Sequence, residues 1–189
     1  MAFGGVRVFQ QECKLFQKGE AMRKLWPTII VLLAAPALAQ QQHSPYAGEE
    51  SREIKALSSQ EIRMYLEGHG MGLAKAAELN HYPGPRHVME LAKQLNLSAT
   101  QAALTQKALD KMHAGAVRLG KLIVAKEKQL DSLYATQKIT EPELRALTGE
   151  IADLQGELRF THLNAHIEMK KILTSQQVAK YDALRGYKK

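Results

Sequence analysis

One short pattern recurs four times and constrains the fold more than any other feature of the chain. It is an apolar residue, Ser or Thr, two free positions, Glu or Gln, then an apolar residue. The four copies are Leu57-Ser58 with Glu61-Ile62, Leu97-Ser98 with Gln101-Ala102, Ile139-Thr140 with Glu143-Leu144, and Leu173-Thr174 with Gln177-Val178. In each, the hydroxyl can accept from the amide three residues on, the Glu or Gln side chain can return to the amide of the Ser or Thr, and the apolar pair closes over both. Such a box belongs at a helix N-terminus and contributes about 1 kcal/mol there. The spacing predicts helices opening near residues 59, 99, 141 and 175. Pro142 then falls in a first turn, where its missing N–H is not needed. Runs of β-branched residues in period-2 alternation are absent, and the strong breakers cluster at Gly68–Gly72 and Tyr82-Pro83-Gly84-Pro85. The expected class is all-α.

Between about 99 and 137 the apolar residues Leu109, Met112, Ala116, Leu119, Ile123, Leu130 and Leu133 recur at spacings of three and four, interrupted at Lys126. A second stripe runs through Leu144, Leu147, Ile151, Leu154, Leu158, Thr161, Ala165 and Ile172, interrupted at Glu168. Each stripe buries a narrow seam against a partner helix. The connection at Ala135–Thr140 is short, so the two should fold back as a long antiparallel hairpin. Neither helix carries enough apolar surface to stand alone. Short flanking helices at 59–67, 71–79 and 85–95, or a second copy of the chain, are expected to cover the seam.

Residues 22–39 (Met-Arg-Lys-Leu-Trp-Pro-Thr-Ile-Ile-Val-Leu-Leu-Ala-Ala-Pro-Ala-Leu-Ala) place two cations before an apolar stretch that ends in Ala37-Leu38-Ala39. That is the layout of a secretory signal cleaved after about Ala39. The apolar stretch is short of the roughly 20 residues of a membrane-spanning helix. Residues 1–21 carry Glu12 and Glu20 and fit no signal, so Met22 is the expected start and 1–21 an upstream extension. Residues 40–50 form a polar leader, and 51–187 the helical domain. Cleavage removes Cys13, the single cysteine, and with it thiol and disulfide chemistry. It also removes Trp26 and three of the four Phe, which leaves a core of Leu, Ile, Val, Ala, Met and a few Tyr. Five Lys/Arg and two Asp/Glu are lost, leaving 21 against 17. That balance is mildly basic and, with export, speaks against nucleic acid as a partner.

Leu173-Thr174-Ser175-Gln176-Gln177 matches the LTxxQ motif, and Leu97-Ser98-Ala99-Thr100-Gln101 matches it with Ser for Thr. Two such motifs flanking a long hairpin behind a signal resemble the Spy/CpxP-like periplasmic proteins and their heavy-metal-sensing CnrX-like and ZraP-like relatives. The resemblance covers residues 51–187. It implies a homodimer of helical hairpins that needs no cofactor. Spy-like members hold unfolded clients without ATP, CpxP-like members dampen a membrane sensor kinase, and the metal-sensing members bind divalent or cuprous ions. Leu97, Ser98, Gln101, Leu173, Thr174 and Gln177 carry the motif, and physically they are cap residues.

Two constellations could carry function. Lys107, Lys111, Arg118, Lys121 and Lys128 fall within an arc of roughly 100° on the first long helix, opposite its seam. Residues 98–138 hold seven cations and three carboxylates. The arc is either a plain solvated face or a surface that steers unfolded or acidic clients, a sensor protein or anionic lipid. His162, His166 and Met169 lie at i, i+4 and i+7 on one face of the second helix, donors suited to copper, nickel or zinc. Against the metal-sensing members, Met169 matches a Met ligand, Ala165 stands where the preceding His would be, and His166 is one residue beyond. The stretch His-Leu-Asn-Ala-His lacks the glutamate of a His-Glu-x-x-His protease. His69 and Met71 in the glycine-rich stretch, with His81 and His87 around the Tyr-Pro-Gly-Pro turn, either fold over the hairpin to complete a site or merely border breakers that re-aim the short helices. With no thiol, no nucleophile–base set and no phosphate-binding loop after a strand, no catalytic function is expected.

Overall fold

The computed structural model describes residues 44–187. The extension 1–21, the signal 22–39 and the first leader residues lie outside it. Six helices follow in order: α1 (Ser59–Leu66), α2 (Lys75–Glu78), α3 (Pro85–Glu90), α4 (Ala99–Ala135), α5 (Glu141–Ile172) and α6 (Ser175–Arg185). Four of them, α1, α4, α5 and α6, open immediately after Ser58, Ser98, Thr140 and Thr174. All four capping boxes are complete in both directions.

Two of the short helices are shorter than expected. Met71 (φ 46°) and Gly72 (φ 77°) cannot be helical, so α2 starts only at Lys75. The helix expected to reach residue 95 ends at Glu90, and turns carry the chain through Asn96 (φ 52°) to the next cap. Residues 44–57 form turns without a helix. Ile54 and Leu57 are buried, and Lys55 meets Asp131 through both its amide and its ammonium.

α4 and α5 pack antiparallel along the expected seam, with Lys126 paired to Glu150 and Lys111 to Glu168. Met112, Ala116, Leu119 and Ile123 are buried against Leu158 and Ala165, while Leu109, Leu130 and Leu133 are only partly covered. The core has two parts. At the root of the hairpin α3, α6 and the adjoining ends of α4 and α5 enclose Val88, Leu95, Ala108, Met169, Leu173, Val178 and Tyr181. Midway, Ala116, Leu119, Ile123 and Leu158 pack with Tyr65, Leu73 and Leu154. Each large side chain so buried contributes about 1.5–3 kcal/mol.

The midway core depends on a residue with no side chain. A Cβ on Gly120 would lie 2.0 Å from the Tyr65 carbonyl oxygen, so the end of α1 rests directly on the α4 backbone. A glycine inside a helix costs about 1 kcal/mol relative to alanine, and here the close approach of α1 offsets that cost. Among the described residues no helix is long and apolar enough to cross a membrane.

Candidate functional site

The two LTxxQ-type motifs meet. Gln101 and Gln177 each close their own cap through the side-chain oxygen, and their amides also face one another. Gln101 Nε2 donates to Gln177 Oε1 at 2.8 Å and Gln177 Nε2 returns to Gln101 Oε1 at 3.0 Å. The same nitrogens reach the carbonyls of Ile172 (2.9 Å) and Leu95 (3.3 Å). Every polar atom of the pair is used, which ties the start of α4 to the start of α6 and both to the root core. These residues build the fold and leave no group over for a ligand.

Beside this junction a cleft of about 360 Å³ opens over the hairpin. Its floor is Met112 of α4 with His162 and His166 of α5. One wall is the glycine-rich stretch Gly68–Gly72, which runs on into Lys75 and Glu78 of α2; the other is Gly84–His87 at the start of α3, with Arg185 of α6 at the rim. The breakers therefore do more than re-aim helices: they bring His69, Met71 and His87 to the cleft that holds the two α5 histidines. Gly84 is required here, because a Cβ would lie 2.9 Å from the His166 ring.

The two floor histidines are held differently. His166 is fixed by the Tyr82 carbonyl, 2.7 Å from its Nδ1. A carbonyl only accepts, so that nitrogen carries the proton. His162 is 3% exposed, and its Nε2 has no hydrogen-bond partner among the described residues. Burial, then the charges of His166 and Arg86, push the pKa of His162 below the ordinary histidine value, so the ring favours its neutral form.

From the cleft lining a part-buried polar cluster extends through Glu78 and Arg185. Glu78 accepts from the hydroxyls of Tyr181 (2.5 Å) and Tyr187 (3.0 Å), and Arg185 and His166 each stand 3.6 Å away. Burial and then the Glu78 carboxylate push the Tyr181 phenol far above its ordinary value, so it remains a donor. His81, in a left-handed conformation (φ 65°), brings Nδ1 within 2.8 Å of the buried Asp182 carboxylate, without the alignment of a hydrogen bond. Its carbonyl accepts from Lys170, whose ammonium also lies over the Tyr82 ring.

Of the three residues expected as metal ligands, His162 and His166 share the cleft floor, but Met169 does not join them. The helical register puts it on their face, yet α3 and α6 cross α5 at that level. Met169 is fully buried with Val88, Leu95 and Tyr181. Among the described residues no three His, Cys, Asp or Glu side chains gather as a metal-binding group. Potential metal donors that share the cleft are the imidazoles of His69, His87, His162 and His166 and the sulfurs of Met71 and Met112.

The five basic residues of α4 are all exposed, but they are not equivalent. Lys111 pairs with Glu168 at 2.7 Å and Lys128 with Glu53 at 2.6 Å. Lys107, Arg118 and Lys121 have no ion-pair partner among the described residues. Arg118 and Lys121 border a shallow apolar groove with His113, Ala114, Val117 and Leu122, and Leu104 is exposed on the same helix.

The sequence offered no sign of Glu78, Tyr181 or Asp182 as partners in one cluster. A single Glu or Asp in a helix looks like any solvated carboxylate. Gly120 did carry a signal, as a glycine inside an otherwise strong helix. Compared with family models, curated proteins and solved structures, the chain finds no match.

Proposed function

We propose that this is an exported, periplasmic chaperone or envelope-stress adaptor of the Spy/CpxP-like kind. It needs no ATP, works as a homodimer, and holds unfolded or acidic protein segments along α4. The observation that carries the reading is the groove of Ala114, Val117 and Leu122, bordered by Arg118 and Lys121 without ion-pair partners among the described residues. Apolar contact gives such a face non-directional affinity, and the unneutralised cations raise the encounter rate with acidic segments. Lys111 and Lys128 contribute less, because intramolecular carboxylates already neutralise them. The export signal and the paired motifs support the same reading.

The purified chain should slow the aggregation of a chemically unfolded client at stoichiometric ratios, as followed by light scattering. The triple substitution Lys107→Glu, Arg118→Glu, Lys121→Glu should remove most of that protection while circular dichroism stays unchanged. Undiminished protection by the triple variant would rule out α4 as the client face.

A further inference from the structure

The cleft over the hairpin has a chemistry that the proposed client face does not use. Its floor presents a histidine that is 3% exposed, held neutral, and left with an unpartnered Nε2. A buried nitrogen without a partner is unfavourable, a cost that a ligand atom at hydrogen-bond distance would remove. A neutral imidazole can donate from Nε2 once the proton sits there.

The surrounding charge decides which ligand that is. Lys75, Arg86 and Arg185 line the cleft, and Lys75 and Arg86 have no ion-pair partner among the described residues. The one carboxylate in the lining, Glu78, has Oε1 occupied by the hydroxyls of Tyr181 and Tyr187, and its Oε2, without a hydrogen-bond partner among the described residues, faces His166 Nδ1 at 3.6 Å. Arg86 already disfavours a proton on His162, and by the same Coulomb term it disfavours a metal cation there. At about 360 Å³ the cleft lies at the small end of ligand pockets, about 300–1,000 Å³.

We propose that this cleft binds a small organic or inorganic oxyanion, a phosphate or carboxylate group held by Arg86 and Lys75, with its acceptor oxygen on His162 Nε2. Met71, Met112 and Pro85 supply an apolar flank for a short carbon skeleton. This site is independent of the α4 client face, and either can fail without the other.

The test is an NMR titration of the histidine ring signals in the full chain after treatment with a chelator. Inorganic phosphate and citrate are the probes, sodium chloride the ionic-strength control, and zinc and copper a separate arm. The His162 signals should shift saturably with phosphate, citrate or both, at a Kd below about 1 mM; which of the two binds more tightly distinguishes a phosphate from a carboxylate ligand. The combined Arg86→Ala, Lys75→Ala variant, whose changes lie at exposed positions, should weaken binding at least tenfold without loss of helicity. His162→Gln should retain part of the affinity, because a side-chain amide can still donate. The proposal is overturned if neither anion saturates, if the double variant binds as well as the parent, or if the metals saturate the histidine signals and the anions do not.

Discussion

At its root the α4–α5 hairpin buries Met169 and Tyr181 and joins Gln101 to Gln177; at its tip, between Ile123 and Leu147, no residue is buried. Both ends use the same cap, and the residue at its third position differs. At the tip Glu143 closes the box on Thr140 in solvent, where a carboxylate suits the positive end of α5. At the root the same position is glutamine twice. Each cap there faces the other, and two carboxylates would repel and supply no donor to the carbonyls of Leu95 and Ile172. The difference teaches that the choice between Glu and Gln in this motif follows from whether a cap meets another cap. Helix initiation alone would accept either.

The largest test of that contrast is the double change Gln101→Glu, Gln177→Glu. It should cost about 3 kcal/mol or more, because two part-buried charges would face each other without donors. Urea unfolding at pH 7.5 measures this, with Glu143→Gln at the tip as comparator, expected within about 0.5 kcal/mol of the parent. Equal effects at both ends would break the contrast.

A second test uses glycine. Gly120→Ala should destabilise by about 2 kcal/mol, since the new methyl meets backbone that cannot yield without moving α1. Gly149→Ala, near the tip with open space around it, should instead stabilise by about 0.5–1 kcal/mol through helix propensity. Opposite signs in thermal melts would sharpen the division between covered and uncovered helix.

The smallest effect concerns protons. The folded state depresses the pKa of His162, so between that value and the ordinary 6.5 the unfolded chain binds the proton more readily. This contribution is fully present above about pH 6.5 and is lost as the pH falls through the folded value. The difference in Tm between the parent and His162→Gln should therefore narrow on acidification from pH 7.5 to 5. The tip carries no histidine between Val124 and Leu147. A gap independent of pH would mean that His162 is not held neutral.

Most of the fold was legible in the sequence because its signals are local. A capping box spans four residues and a seam repeats every three or four, so helix starts at 59, 99, 141 and 175 followed directly. The start of α2 was missed where a left-handed Met71 intervened, because methionine does not announce that conformation, and the early end of α3 at Glu90 carried no local signal either. The cleft was legible only in fragments. Its histidines and glycines could be singled out, but Glu78 and Tyr181 lie 103 residues apart and meet only through packing. Met169 shows the opposite failure: helical register placed it with His162 and His166, and tertiary coverage by α3 and α6 removed it.

Gly120 also carries information about position. Moving α1 one turn along α4 in either direction, about 5.4 Å, would set the Tyr65 carbonyl against the side chains of Ala116 and Val117 or of Ile123 and Val124. Gly120 is the height that admits it, since the other glycine of the 37-residue helix, Gly115, faces Thr161 of α5. The glycine-rich stretch follows α1 directly, so the place where α1 stops decides which level of the hairpin that loop overhangs. A residue that offers no atom to any ligand thereby addresses the loop to His162.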